Sequence, residues 1–225
     1  NITWNELYEK VCKFSSYLKK LNLQKGDRVA AYVPNKIETI ICFLACAKNG
    51  IIWSSCSPDF GAQGVVDRFK QIEPKVFITC DYYYYNGKKI NILDKVDQIL
   101  KEISSIKNVI AYNYNKKEKE DLKNFINFEE TLNSNLDENF ERFEFDHPIY
   151  ILFSSGTTGK PKCITHGTGN VLIEHNKEFM LHCDIRDKEK LFYYTTTGWM
   201  MWNWLVGGLA IGSSIFLFDG APVYP

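Results

Sequence analysis

Five short apolar runs, separated by stretches with helical spacing, limit what this chain can fold into. The runs are Arg28–Val33, Ile51–Ser54, Lys75–Thr79, Asn108–Tyr112 and Ile149–Phe153, and each is apolar on successive residues. A strand buried on both faces has that pattern, whereas a strand with one wet face alternates. Between the runs, apolar residues recur at three and four, as in Leu7, Val11, Phe14, Leu18 and Leu21. Pro34–Asn35 opens a second helix that reaches Lys48, where Asn49–Gly50 stops it. Further helices are expected over Ala62–Ile72, Leu93–Ile103, Thr168–His182 and Trp199–Ala210, with short strands at Phe192–Tyr194 and Ser214–Phe218. Strand–helix alternation of this kind predicts an α/β fold built from parallel-sheet layers covered by helices on both faces.

Residues 81–147 are less regular. The "DYYYYNGKK" stretch reads as a strand end with alternate faces in and out, and "NKKEKEDLKN" as solvated surface. Leu191 to Phe218 holds no charged residue and is long enough to cross a bilayer. Its glycines and the Ser213–Ser214 pair divide it into a short helix and a short strand, so a buried unit is expected and no membrane span. Lys plus Arg and Asp plus Glu both total 27, so the chain lacks the basic excess of a nucleic-acid binder. Seven cysteines form no CxxC pair, and the four histidines form no HExxH pattern. They are expected as reduced thiols in a cytoplasmic protein, with no metal held directly by protein groups. There is no initiator Met and no signal peptide, and both ends read as cut, which predicts a piece of a longer polypeptide.

The stretch that carries chemistry is "FSSGTTGKPK", directly after the apolar run Ile149–Phe153. In α/β proteins, ligands bind beyond the carboxyl ends of the strands. Glycines let backbone N–H groups approach an anion closely, Ser154, Ser155, Thr157 and Thr158 supply hydroxyls, and Lys162 supplies charge. The stretch has the makings of a phosphate cradle. It is not a Walker A loop, because Gly156 and Gly159 are only three apart and Pro161 follows Lys160.

The string from Ser154 to Lys162 resembles the signature loop of the adenylate-forming superfamily of acyl-CoA synthetases, luciferases and peptide-synthetase adenylation domains. "ITWNELYEKVCKFSSYLKKLNLQKGDRVAAYVPN" resembles that superfamily's opening helix and first strand. "IIWSSCSPDFGAQGVVDRFKQIEPKVFIT", "HGTGNVLIEHNKEFMLHCDI" and "YYTTTGWMMWNWLVGGLAIGSSIFLFDG" are similar to its acetoacetate-activating branch. The resemblance covers nearly the whole chain and is weakest at 81–147.

The resemblance implies an acid–thiol ligase that works in two steps, with acetoacetate, ATP and coenzyme A as small-molecule substrates and Mg²⁺ on the nucleotide. The carboxylate attacks the α-phosphate of ATP to give an acyl-adenylate and pyrophosphate, and the thiol of coenzyme A then displaces AMP. By position, Ser154, Ser155, Gly156, Thr157, Thr158, Gly159 and Lys162 bind the phosphates, and Trp199, Met200, Met201 and Asn203 line a short acyl pocket. Asn203 is a candidate donor to a β-keto oxygen. Core packing is the competing account of the aromatics on that helix. His166 is read as a structural histidine before a phosphate contact, Cys56 as no nucleophile, and Asp59 as a cap for the helix at Ala62. Cys163 stands where many members have Gly or Ala.

The same resemblance implies that residues 1–225 are part of an N-terminal AMP-binding domain. The C-terminal domain with the catalytic lysine then lies downstream, so no catalytic residue is assigned in this stretch and it is expected to be inactive alone. An acetate- or propionate-activating ligase and a non-catalytic nucleotide-binding module remain the alternatives.

Overall fold

The computed structural model describes residues 1–118, 122, 124–154 and 159–224. Helix α1 (Trp4–Lys20) starts from a capping box, in which the Thr3 side chain accepts from the Glu6 N–H while the Glu6 carboxylate accepts from the Thr3 N–H. Its apolar stripe, Leu7, Val11, Phe14 and Leu18, is buried. Strand β1 (Arg28–Tyr32) leads into helix α2 (Ile37–Lys48) and strand β2 (Ile52–Cys56). Helix α3 (Ala62–Phe69) and strand β3 (Val76–Cys80) follow. Every residue of β2 and β3 is buried, and the Ser54, Ser55 and Thr79 hydroxyls within them are hydrogen-bonded.

Residues 81–147 hold more order than their sequence suggests. Strands β4 (Tyr82–Tyr85) and β5 (Lys88–Asn91) form an antiparallel hairpin about Asn86 and Gly87, both with positive φ (47° and 69°). Asn-Gly between two strands is the sequence signal for that turn. Helix α4 (Leu93–Glu102), strand β6 (Asn108–Tyr112), strand β7 (Ile126–Asn127) and the one-turn helix α5 (Phe128–Thr131) follow. Part of the charge run, Lys119–Asp121 and Lys123, lies outside the described residues.

The chain then crosses α1 and α2 in irregular conformation, tied down by Lys19 to Asp137 at 2.8 Å and by the buried Lys48 amino group to the Asn139 carbonyl at 2.7 Å. It enters strand β8 (Pro148–Ser154) and returns as strand β9 (Lys162–Gly167). Helix α6 (Thr168–Lys177) passes into a π-helical turn at Glu178–His182. Strand β10 (Lys190–Phe192), helix α7 (Met200–Gly207), a 3₁₀ turn (Gly208–Ile211) and strand β11 (Ser214–Phe216) complete the order.

The main sheet has the strand order β7-β6-β3-β1-β2-β8-β9, parallel throughout except for the β8–β9 pair. From β1 the chain steps one way to β2 and then back past β1 to β3. Right-handed crossovers therefore place α2 and α3 on opposite faces. Helix α1 packs on α2 and α4 packs on α3, so both faces are covered. The reversal of direction also makes the carboxyl ends of β1, β2 and β3 the place where a crevice opens. Strands β10 and β11 pair in parallel as a separate two-stranded sheet.

Within the main sheet, parallel pairing gives way at one place. Strand β9 is an antiparallel edge strand, and Lys162–Thr165 are exposed. Its sequence, KCITHG, lacks an apolar run because the strand buries neither face.

Candidate functional site

Strand β8 delivers the chain to the rim of the sheet at the half-buried Ser154. Lys162, the first residue of β9, lies opposite Ser154 in antiparallel register. The stretch read as a phosphate loop is therefore the connection of a β-hairpin rather than a strand-to-helix turn. Of its residues, Ser155, Gly156, Thr157 and Thr158 lie outside the described residues. Gly159 adopts φ of +97°, and a Cβ built there would meet nothing within 4 Å. A left-handed backbone facing open space is a position that glycine fills without strain. The side chains of Lys160 and Lys162 are exposed and meet no hydrogen-bond or ion-pair partner among the described residues. Two uncommitted ammonium groups beside an open glycine suit a polyphosphate.

The second predicted stretch is stitched to the same end of the sheet. Thr197 Oγ1 donates to the Val33 carbonyl at 2.7 Å, just past β1. Ser55 Oγ in β2 donates to the Thr197 carbonyl at 2.6 Å and accepts from Trp53 Nε1 at 3.0 Å. These groups are buried, so their pairing holds the threonine loop against both strand ends. Beyond it lies a small cleft, lined by residues that include Asn35, Ser57, Asp59, Tyr83, Thr195 and Asp219.

The cleft holds a carboxylate with a raised pKa. Asp219 Oδ2 is buried with no hydrogen-bond partner among the described residues. Burial is the main cause that raises its pKa to about 6, and the nearby Asp59 charge adds to it, while the Tyr114 hydroxyl and the Lys36 ammonium pull the other way. Burial, then the Asp59 carboxylate, likewise raises the Tyr83 phenol. Asp59 does not cap α3. Ser57 Oγ donates to Asp59 Oδ2 at 2.8 Å within the turn, and Gly61 stands at the N-cap with no side-chain bond.

The four acyl-pocket candidates lie on or beside α7 and differ in exposure. Trp199, at the N-cap, is 64% exposed and Met200 is 40% exposed. Met201 is half-buried, and Asn203 is buried. Asn203 Nδ2 donates to the Trp199 carbonyl at 3.5 Å, and its Oδ1 is buried without a partner. None of the four lines the cleft. Trp202, by contrast, is wholly buried, stacked 6.4 Å from Trp53 and edge-on to Phe43 at 5.7 Å, as core packing requires.

The remaining candidates behave as packing groups. His166 sits 4.9 Å from the Tyr150 ring, and burial lowers its pKa. Burial pushes the Cys56 thiol up to about 12, so it stays protonated at neutral pH and is no nucleophile. The cleft residues Asn35, Asp59, Tyr83, Thr195 and Asp219 were not legible as a group in the sequence. The available hint was position: Asp219 follows the apolar strand β11, where a strand end meets ligands.

The whole chain, residues 1–225, matches the family model described as AMP-binding enzyme, and the chain belongs to that family. Within the family it is similar to the acetoacetyl-coenzyme A synthetase of Rhizobium meliloti (strain 1021), 48% identical over 230 residues, covering all of this chain and 35% of that protein. The acetoacetyl-CoA synthetase of Mus musculus is 42% identical over 233 residues with the same coverage. The solved structure of acetoacetyl-CoA synthetase from Streptomyces lividans superposes with a TM-score of 0.95 at 41% identity, covering all of this chain and 34% of that one. The chain spans about a third of the length of the curated relatives it matches.

Proposed function

We propose that this chain supplies the first part of the adenylation domain of an ATP-dependent acid–thiol ligase whose acid is acetoacetate. In the longer polypeptide the acid attacks the α-phosphate of ATP, pyrophosphate leaves, and coenzyme A then takes the acyl group as AMP departs. The observation that carries this reading is similarity along the entire chain, at 40% to 48% identity, to proteins named for that activity. The open Gly159 and the side chains of Lys160 and Lys162, which meet no partner among the described residues, support the nucleotide half of it.

The chemistry needs the phosphates neutralised and the reactants aligned before bonds change. Lys162 and the hydroxyls of Ser154, Ser155, Thr157 and Thr158 hold the β- and γ-phosphates, with Gly156 and Gly159 shaping the backbone around them. Magnesium arrives on the nucleotide and adds charge there. Trp199, Met200, Met201 and Asn203 contribute to the acyl pocket together with segments supplied by the rest of the polypeptide. No catalytic lysine is assigned to these residues, and they are expected to turn over nothing alone. No helix of the described residues is long and apolar enough to cross a membrane. Seven free thiols, five of them buried, support a reducing cytoplasm as the place of action.

Pyrophosphate exchange into ATP by the full-length protein tests the reading, with acetoacetate, acetate, propionate and butyrate offered singly. Exchange fastest with acetoacetate is expected. Exchange fastest with acetate or propionate moves the protein to a neighbouring specificity, and exchange with none of them leaves a nucleotide-binding module.

A further inference from the structure

Both limbs of the β8–β9 hairpin lean on α3. The outgoing limb does so through apolar contact: Phe69, at the last position of α3, meets Phe153 edge-on with ring centroids 6.4 Å apart. The returning limb does so through one side chain. Gln71, two residues beyond α3, donates through Nε2 to the Pro161 carbonyl at 2.9 Å and to the Asp67 carbonyl at 2.6 Å. Its Oε1 accepts from Cys163 Sγ at 3.7 Å. The carboxamide therefore grips the residues on either side of Lys162 and ties them to the helix.

Geometry makes that grip directional. The Pro161 carbonyl belongs to the peptide plane that joins Pro161 to Lys162, so holding its oxygen sets the tilt of the plane. The proline ring already fixes its own φ. Successive strand side chains point to opposite faces, so a Cys163 side chain held toward Gln71 sends Lys162 the other way. Helix α3 is a firm base for this, because Val65, Val66 and Phe69 are buried in the main core.

We propose that Gln71 is a positioning residue for Lys162, holding the returning limb in the pose that meets phosphate. The proposal rests on the reading that this hairpin binds the polyphosphate of ATP. Gln71 itself is exposed and bonds to the hairpin backbone, so its effect runs through the peptide at Pro161–Lys162.

The test uses the full-length protein and two measurements: the Kd for MgATP by calorimetry, and the separate KM values for ATP and acid in pyrophosphate exchange. Gln71→Met keeps the length and loses the N–H donor. It is expected to weaken ATP roughly three- to tenfold, the range for one neutral hydrogen bond, with the acid KM and the melting temperature unchanged. Gln71→Glu, which cannot donate and adds negative charge, is expected to weaken ATP further. Gln63→Ala on the same helix, whose amide bonds only to Asp67 at 2.8 Å, is expected to change nothing. Unchanged ATP affinity in Gln71→Met overturns the proposal. A parallel loss in ATP, acid and melting temperature also overturns it, since that marks a merely structural side chain. Wild-type protein that binds ATP but exchanges with no acid rejects the ligase reading and leaves the Kd test of Gln71 standing. Wild-type protein that binds no ATP rejects both.

Discussion

Trp202 Nε1 donates a hydrogen bond to Asn35 Oδ1 at 2.9 Å, joining positions 167 apart in the chain. Asn35 also donates through Nδ2 to the Phe218 carbonyl at 3.3 Å. One amide thus ties the end of β1 to α7 and to the segment after β11. Asn35→Ala leaves a fully buried indole N–H without its partner, at a cost of about 1–3 kcal/mol. Denaturant unfolding is expected to show that loss, and an unchanged midpoint rejects the link.

Trp199 and Trp202 should separate cleanly. Trp202→Ala empties core volume and is expected to cost about 3–5 kcal/mol. Trp199→Ala removes a side chain that is mostly in solvent and is expected to move stability by under about 0.5 kcal/mol. In the full-length protein the same Trp199→Ala change is expected to raise the KM for the acid and spare that for ATP. Equal kinetics in wild type and Trp199→Ala would remove Trp199 from the acyl pocket.

Gly207 is required by its neighbour on α6. A Cβ built on Gly207 would lie 2.3 Å from His175 Nδ1, and His175 is buried. Gly207→Ala is therefore expected to destabilise by about 1–3 kcal/mol through overpacking. Pairing it with His175→Ala should recover part of that loss. Additive losses in the double-mutant cycle would show that the two sites do not clash.

Acid–base behaviour divides between Asp219 and His175. The Asp219 carboxyl sits at about 6 when folded, above its ordinary 3.8, so the folded state holds that proton more tightly. Its stabilising effect is complete below 3.8 and is lost as pH rises through 6. Asp219→Asn is expected to flatten stability across that window and to gain up to about 3 kcal/mol at pH 7. Burial lowers the His175 pKa below 6.5, so its contribution is present above 6.5 and is lost as pH falls. A wild-type and Asp219→Asn stability profile that coincide from pH 4 to 7 would refute the assignment.

Charge on the hairpin should govern nucleotide affinity. Lys162→Gln in the full-length protein is expected to weaken ATP by about ten- to a hundredfold, the loss of one charge-assisted contact to phosphate. Equilibrium dialysis with labelled ATP measures it, and full affinity in the variant would exclude Lys162 from the grip.

The residues of β1, β2, β3, β6 and β8 marked themselves as strands by their local apolar runs alone. Strands buried on both faces favour apolar runs over alternation, and such runs separated by helical spacing leave a covered parallel sheet as the outcome. The capping box at Thr3 and Glu6 and the hydroxyl–glycine string from Ser154 to Lys162 are local in the same sense, since neighbours in sequence supply every group involved. Strand β9 escaped that logic because it lies exposed at an edge, where no burial pattern is imposed on its residues. The cleft escaped it for a different reason. Asn35, Asp59, Thr195 and Asp219 meet only because β1, β2 and the β10–β11 unit bring their ends together, and nothing in the sequence near any one of them encodes the others. The raised pKa of Asp219 belongs to the same level: a carboxylate after a short strand is unremarkable in sequence, and only packing around it removes the water that would keep it charged.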